Sequence, residues 1–234
     1  MYKQFFIYLA LSCISWSHAQ QQWFTTYTDA NALLQEANSL SHQFKKEVAQ
    51  YKSTPEFTTT NLLNTTPYLI YYDGEKNTVN IPLWSEVLPE LKAFTTAVTG
   101  SEAEGERMFG LFFNGFYLIH EYGHAFQYTY DKANSELGYA NEKLANQIAF
   151  LYWKKIGKQK ELNECYALAK KMFAQLKNPV PEGKTTESYF TENYIMATQD
   201  PFVYAYMQFG QFIEIYEDQT LPSFEEFIKS KFHE

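Results

Sequence analysis

Apolar residues recur at helical spacing along most of the chain, with one interruption in its first third. In "YTDANALLQEANSLSHQFKKEVAQY", Leu33, Leu34, Ala37, Leu40, Phe44 and Val48 share a face behind a Thr28/Asp29 cap signal. That pattern predicts an amphipathic helix, with His42 on its solvated edge. The next stretch, "TPEFTTTNLLNTTPYLIYYDGEKNTVNIPLW", is rich in Thr, Tyr, Ile and Val, and "DGEKN" is a turn signal. A β-hairpin is expected there, with strands near 68–72 and 78–82. From Ser85 onward the periodicity is helical, with helices expected near 85–98, 102–130, 133–157, 160–177, 186–198, 201–217 and 223–232. Gly100, Gly157 and "NPVPEG" punctuate this region. Helix, short sheet, then many helices is an α+β order, predominantly α-helical. No composition shift marks a second domain, and no internal repeat is visible. A chain of 234 residues suits a single domain, expected to span 20–234.

The first residues have a different character. "MYKQFFIYLALSCISWSHAQ" sets Lys3 before an apolar run and ends in Ser17-His18-Ala19, a small-x-small cleavage pattern. It reads as a signal peptide over 1–19, which implies a secreted or periplasmic protein. The alternatives are a buried first helix and a lipoprotein signal lipidated at Cys13. The apolar run is shorter than the roughly 20 residues of a membrane span. Removal of Lys3 takes the net charge from -8 to -9. No basic patch is visible, so nucleic acid is not an expected partner. Cys165 is then the only cysteine left and makes no internal disulfide; its neighbours Leu162, Leu168, Ala169 and Met172 mark it as a small core residue. The Asn64-Thr65-Thr66 sequon carries weight only in a eukaryotic source.

Composition changes the picture less than one motif does. Hydrophobic residues make up 45% and charged residues 20%, a globular balance with 20 Phe and 19 Tyr. Yet "FYLIHEYGHAFQY", greasy and aromatic, contains two of the five histidines and a glutamate. Unpartnered polar groups in such a run would cost a few kcal/mol each. His120, Glu121 and His124 spell H-E-x-x-H. Residues i and i+4 share a helix face, so both imidazoles can reach one ion. Glu121, turned about 100° from His120, can stand beside the ion and act on a bound water without ligating. The spacing therefore points to a zinc hydrolase; the competing reading is two core histidines bonded to backbone or tyrosine. A catalytic zinc needs a third protein ligand and a position left for water. Glu142, in "GYANEKLANQIAFLYWKK", opens the next helix after a connection long enough to reverse the chain. Glu136 is the fallback, and a plain helix-start glutamate is the bland reading of Glu142. Asn146 shares a face with Glu142. Ala145 and Ala149 give a small-residue surface for close helix packing, and Gly123 permits close approach on the other side.

"HEYGHAF" followed by "NEKLANQIA" resembles the gluzincin zinc metallopeptidases, in particular small bacterial ones with HExGHA and a later E-x-x-A-D. The resemblance covers about 112–153. It implies a zincin-like fold with a central HExxH helix, His120, His124 and Glu142 as zinc ligands, and Glu121 as general base. Asn146 falls where the family has Asp, which orients a ligand histidine; without that charge, ligand basicity and metal affinity are expected to be lower. Neither a Gly-Ala-Met-Glu-Asn segment nor the longer histidine tail of metzincins is present. If the fold follows zincins, "NTVNIP" would be an edge strand where a peptide could add; it reads equally well as an ordinary hairpin strand. Tyr189 and Tyr194 are the candidate oxyanion donors. The expected activity is hydrolysis of peptide bonds in a peptide or protein substrate. The alternatives are a non-catalytic zincin-fold binding protein of the cell envelope and a structural zinc site.

Overall fold

In a computed structural model of the chain, residues 23–52, 55–66, 68–131 and 138–232 are described. The expected signal peptide with Cys13, and Glu136, lie outside them. The first helix, α1, runs Ala30–Val48, and the Asp29 side chain caps it by accepting from the Ala32 N–H at 2.8 Å. Its buried stripe is Leu33, Ala37, Leu40, Ser41, Phe44 and Val48, with His42 exposed, as its periodicity requires.

The sheet that follows has three strands, not two: β1 (Thr60–Leu63), β2 (Tyr71–Asp73) and β3 (Thr78–Ile81), in the order β1-β3-β2. The expected hairpin is β2–β3, antiparallel, its turn held by Asp73 Oδ1 accepting from the Glu75 and Lys76 N–H groups. β1 pairs with β3 in parallel. This overturns the reading of "NTVNIP" as an edge strand: β3 is central and all four of its residues are buried. Among the described residues, β1 and β2 are the outer strands.

The helices are α2 (Pro89–Thr99), α3 (Glu102–Leu111), α4 (Tyr117–Tyr130), α5 (Tyr139–Lys155), α6 (Gln159–Phe173), α7 (Thr186–Ala197), α8 (Pro201–Glu217) and α9 (Phe224–Lys231). The class is α+β, mostly helical. One expected long helix, 102–130, is broken. A π turn at Phe112–Phe116 separates α3 from α4, with Asn114 at φ -107° and ψ 18°. The cause lies upstream. A Cβ on Gly115 would stand 2.4 Å from the Phe24 ring, and one on Gly110 would stand 2.7 Å from the Thr25 carbonyl carbon. Residues 24–26 therefore cross directly over the two glycines. The Phe24 N–H donates to the Asn114 carbonyl at 3.3 Å, Trp153 Nε1 donates to that of Phe116 at 3.4 Å, and the Asn114 amide donates to Pro82 O at 3.1 Å. The π turn is thus tied to the strap at residues 24–26 through the Asn114 carbonyl, to α5 through the Phe116 carbonyl and to Pro82 through the Asn114 side chain.

These contacts set the rotational phase of α4. One side buries Leu118, Tyr122, Ala125 and Phe126 in the main core. The Tyr122 hydroxyl lies 2.7 Å from Asn61 Oδ1 and 3.0 Å from the Ala37 carbonyl, tying α4 to β1 and α1. The other side faces α5. The expected small-residue packing is present, since a Cβ on Gly123 would be 3.1 Å from Ala145 Cα.

Candidate metal centre

Three side chains converge between α4 and α5. His120 Nε2 and His124 Nε2 are 3.0 Å apart, and Glu142 Oε2 lies 3.2 Å from the first and 3.5 Å from the second. The i, i+4 spacing puts the imidazoles on one face of α4, and the close α4–α5 packing brings in the first turn of α5. A small tetrahedral ion about 2.0–2.1 Å from each donor would hold such donors about 3.3 Å apart. The trio fits that spacing and can hold a metal ion. Lone pairs packed this closely repel unless a cation lies among them, so the donor set suits an ion by its chemistry as well as its size.

Each imidazole is held from behind. His120 Nδ1 is 2.8 Å from Asn146 Oδ1, as expected, and His124 Nδ1 is 2.9 Å from Asn141 Oδ1. Sequence reasoning missed Asn141. Its signal was its place beside Glu142 at the start of α5, which flanks that carboxylate on the opposite side from Asn146. The ring of glutamines was also missed. Gln208 and Gln211 of α8 reach Asn146, Gln127 of α4 pairs with Asn141, and Gln208 Nε2 donates to Glu142 Oε2 at 2.6 Å. Nothing in the spacing of α8 marks these residues as neighbours of an HExxH helix.

The two candidate tyrosines part company. The Tyr194 hydroxyl donates to Glu142 Oε1, so its proton is committed to that carboxylate. Tyr189 packs edge-on against Phe190 in a small satellite core with Tyr139 and Met207. No contact among the described residues joins Tyr189 to the trio.

Burial governs the electrostatics. Glu142 is 2% exposed; desolvation opposes its charge, but His124 and His120 together hold its carboxyl well below the usual range. Burial also opposes a charged His124, and the Glu142 carboxylate outweighs it, taking the imidazole up to about 9. Glu121 behaves differently. Desolvation raises its carboxyl, against the opposing pull of His120 and His124, and the nearby Tyr72 N–H of β2 favours the ionised form. A surface depression lined by Asn64, Tyr68, Pro82, Leu83 and Leu91 shares no residue with this site.

The chain matches no protein-family model, no curated protein and no solved structure.

Proposed function

We propose that this protein is an exported zinc-dependent metallopeptidase of gluzincin type, zincin-like in how its helices present the site. The observation that carries the reading is the three-donor set itself. His120, His124 and Glu142 form a group that could hold a metal ion, with no fourth His, Cys, Asp or Glu joining it among the described residues. Structural zinc sites are closed by four protein ligands, whereas catalytic ones use three and keep a position open. Zinc, when bound, supplies Lewis acidity, polarising a scissile carbonyl and lowering the pKa of water to about 7.

The chain's own residues do the rest. Glu121 takes the proton of the attacking water and returns it to the leaving amine. Its raised pKa, a consequence of burial, brings its acid and base forms closer in free energy at neutral pH. Asn141 and Asn146 hold the imidazoles, and Tyr194 and Gln208 hold the Glu142 carboxylate. The edge strand for an extended peptide is β2, not β3, because the outer side of β2 has no strand partner among the described residues and Tyr72 stands by Glu121.

A second reading has one observation in its favour. The side chains of His120 and Glu142 are 2% and 3% exposed, and that of His124 10%. A nearly sealed site suits an ion that pins α4 to α5 in a non-catalytic binding protein. A peptide-library digest separates the two, using zinc-loaded wild type, Glu121→Gln and a chelator-treated control. The enzyme reading expects Glu121→Gln to keep its zinc and lose activity by the 10²–10⁴-fold typical of a general base. Fully loaded wild type that cuts nothing across a broad library would leave the binding protein as the better account.

A further inference from the structure

In the gluzincin pattern the position of Asn146 carries a carboxylate, which makes the amide look like a weakened substitute. The surrounding side chains argue otherwise. We propose that Asn146 is required as an amide, because Gln208 and Gln211 form with it a relay of fixed polarity that assigns the ring proton of His120 and turns its Nε2 toward the ion. The inference rests on the reading above only for the presence of that ion.

The polarity is set at two ends by groups that only accept. The Tyr139 carbonyl is 3.0 Å from the Gln211 amide, so the atom facing it is Nε2. Gln211 Oε1 then faces Asn146, 2.9 Å from Nδ2. The Glu142 carboxylate likewise demands Nε2 of Gln208, which also lies 2.8 Å from the Tyr204 hydroxyl, and Gln208 Oε1 faces the same Asn146 nitrogen at 2.9 Å. Two amide hydrogens meet two glutamine oxygens, one each. Only Oδ1 of Asn146 remains for His120, and since it accepts, the imidazole proton is on Nδ1. All three amides are buried, at 0%, 4% and 1% exposure for Asn146, Gln208 and Gln211, so solvent cannot repair a mismatch.

The same logic repeats at His124. Gln127 Nε2 donates to the Asn141 carbonyl at 3.3 Å, Asn141 Nδ2 donates to Gln127 Oε1 at 2.5 Å, and Asn141 Oδ1 is left for the imidazole. A carboxylate at 146 would place three acceptors together with no hydrogen between them. Either glutamine could flip to supply one, but its own oxygen would then face the Tyr139 carbonyl or the Glu142 carboxylate. The extra negative charge alone would tighten a cation, so simple electrostatics and the relay predict opposite signs.

The test is a double-mutant cycle on Asn146→Asp and Gln211→Leu, read as zinc affinity and as the thermal midpoint of the metal-free protein. Asn146→Asp should weaken zinc at least 10-fold, within the range for outer-shell changes, and lower the metal-free midpoint. Its penalty should shrink in the Gln211→Leu background, where one opposing acceptor is gone. A spectroscopic arm uses metal-free protein labelled with ¹⁵N-histidine. Wild type should carry the His120 proton on Nδ1, and the Gln208→Leu/Gln211→Leu protein should shift part of it to Nε2. Zinc bound as tightly or more tightly by Asn146→Asp at an unchanged midpoint, a strictly additive cycle, or an unmoved His120 proton would each overturn the relay. Wild type that binds no metal would sink the peptidase reading instead, while the metal-free arms still decide the relay.

Discussion

Gly123 and Ala145 leave no room for a methyl group between α4 and α5, the two helices that carry the candidate donors: a Cβ on Gly123 would stand 3.1 Å from Ala145 Cα and 3.3 Å from its carbonyl oxygen. Backbone atoms cannot swing aside as a long side chain would. Gly123→Ala should therefore push α4 from α5 by a few tenths of an ångström and cost roughly 1–3 kcal/mol, the scale of core overpacking. Metal affinity should fall with it, since two donors are on one helix and the third is on the other. Urea unfolding and a zinc titration check both. An unchanged affinity would mean that the trio tolerates a wider helix spacing.

Metal removal should destabilise the protein by mass action. At free zinc 1,000 times its dissociation constant, binding adds about 4 kcal/mol. Thermal scans with and without chelator should show that increment in wild type. His124→Ala and Glu142→Gln, each missing a ligand, should scan alike in both conditions.

Asn141 touches no ion, yet its oxygen fixes the His124 ring. Asn141→Ala should weaken metal binding 10–100-fold, as is usual for outer-shell partners. The fall should appear in a competition titration against a chromogenic chelator, with far-UV dichroism unchanged.

Tyr194→Phe separates two roles for one hydroxyl. Because that hydroxyl donates to Glu142 Oε1, its loss should weaken metal binding roughly 10- to 150-fold, which is the 1.5–3 kcal/mol of a hydrogen bond to a charged group. A protein with undiminished zinc affinity and a lowered kcat would restore Tyr194 to the oxyanion.

The candidate trio was legible because its signals are local. Two histidines four apart, a glutamate opening the next helix, and Gly123 opposite Ala145 and Ala149 all lie within one helical hairpin. The shell that holds the trio was legible only in part. Asn146 shares a helix face with Glu142, but Gln208 and Gln211 come from α8 and meet Asn146 only in three dimensions. Strand β1 escaped because its partner is reached by a parallel pairing across β2, which leaves no turn signal. The break at Asn114 escaped for a similar reason: an unbroken apolar period hides a π turn whose partners are Phe24, Pro82 and Trp153.

That break bears on how the site comes into being. The strap at residues 24–26 is anchored where Arg107 donates to the Phe24 carbonyl, 83 residues away in sequence, and it lies over Gly110 and Gly115. Until it returns across them, only Trp153 and Pro82 favour the extra residue in the helix, and a regular helix would turn His120 and His124 by about 100°. A helical hairpin assembles from near neighbours, whereas this closure brings together distant segments and is intrinsically slower. Competence to hold an ion should then arise after most helical signal is in place, and a chain trimmed beyond Thr26 should keep its helices while presenting its histidines to the wrong neighbours.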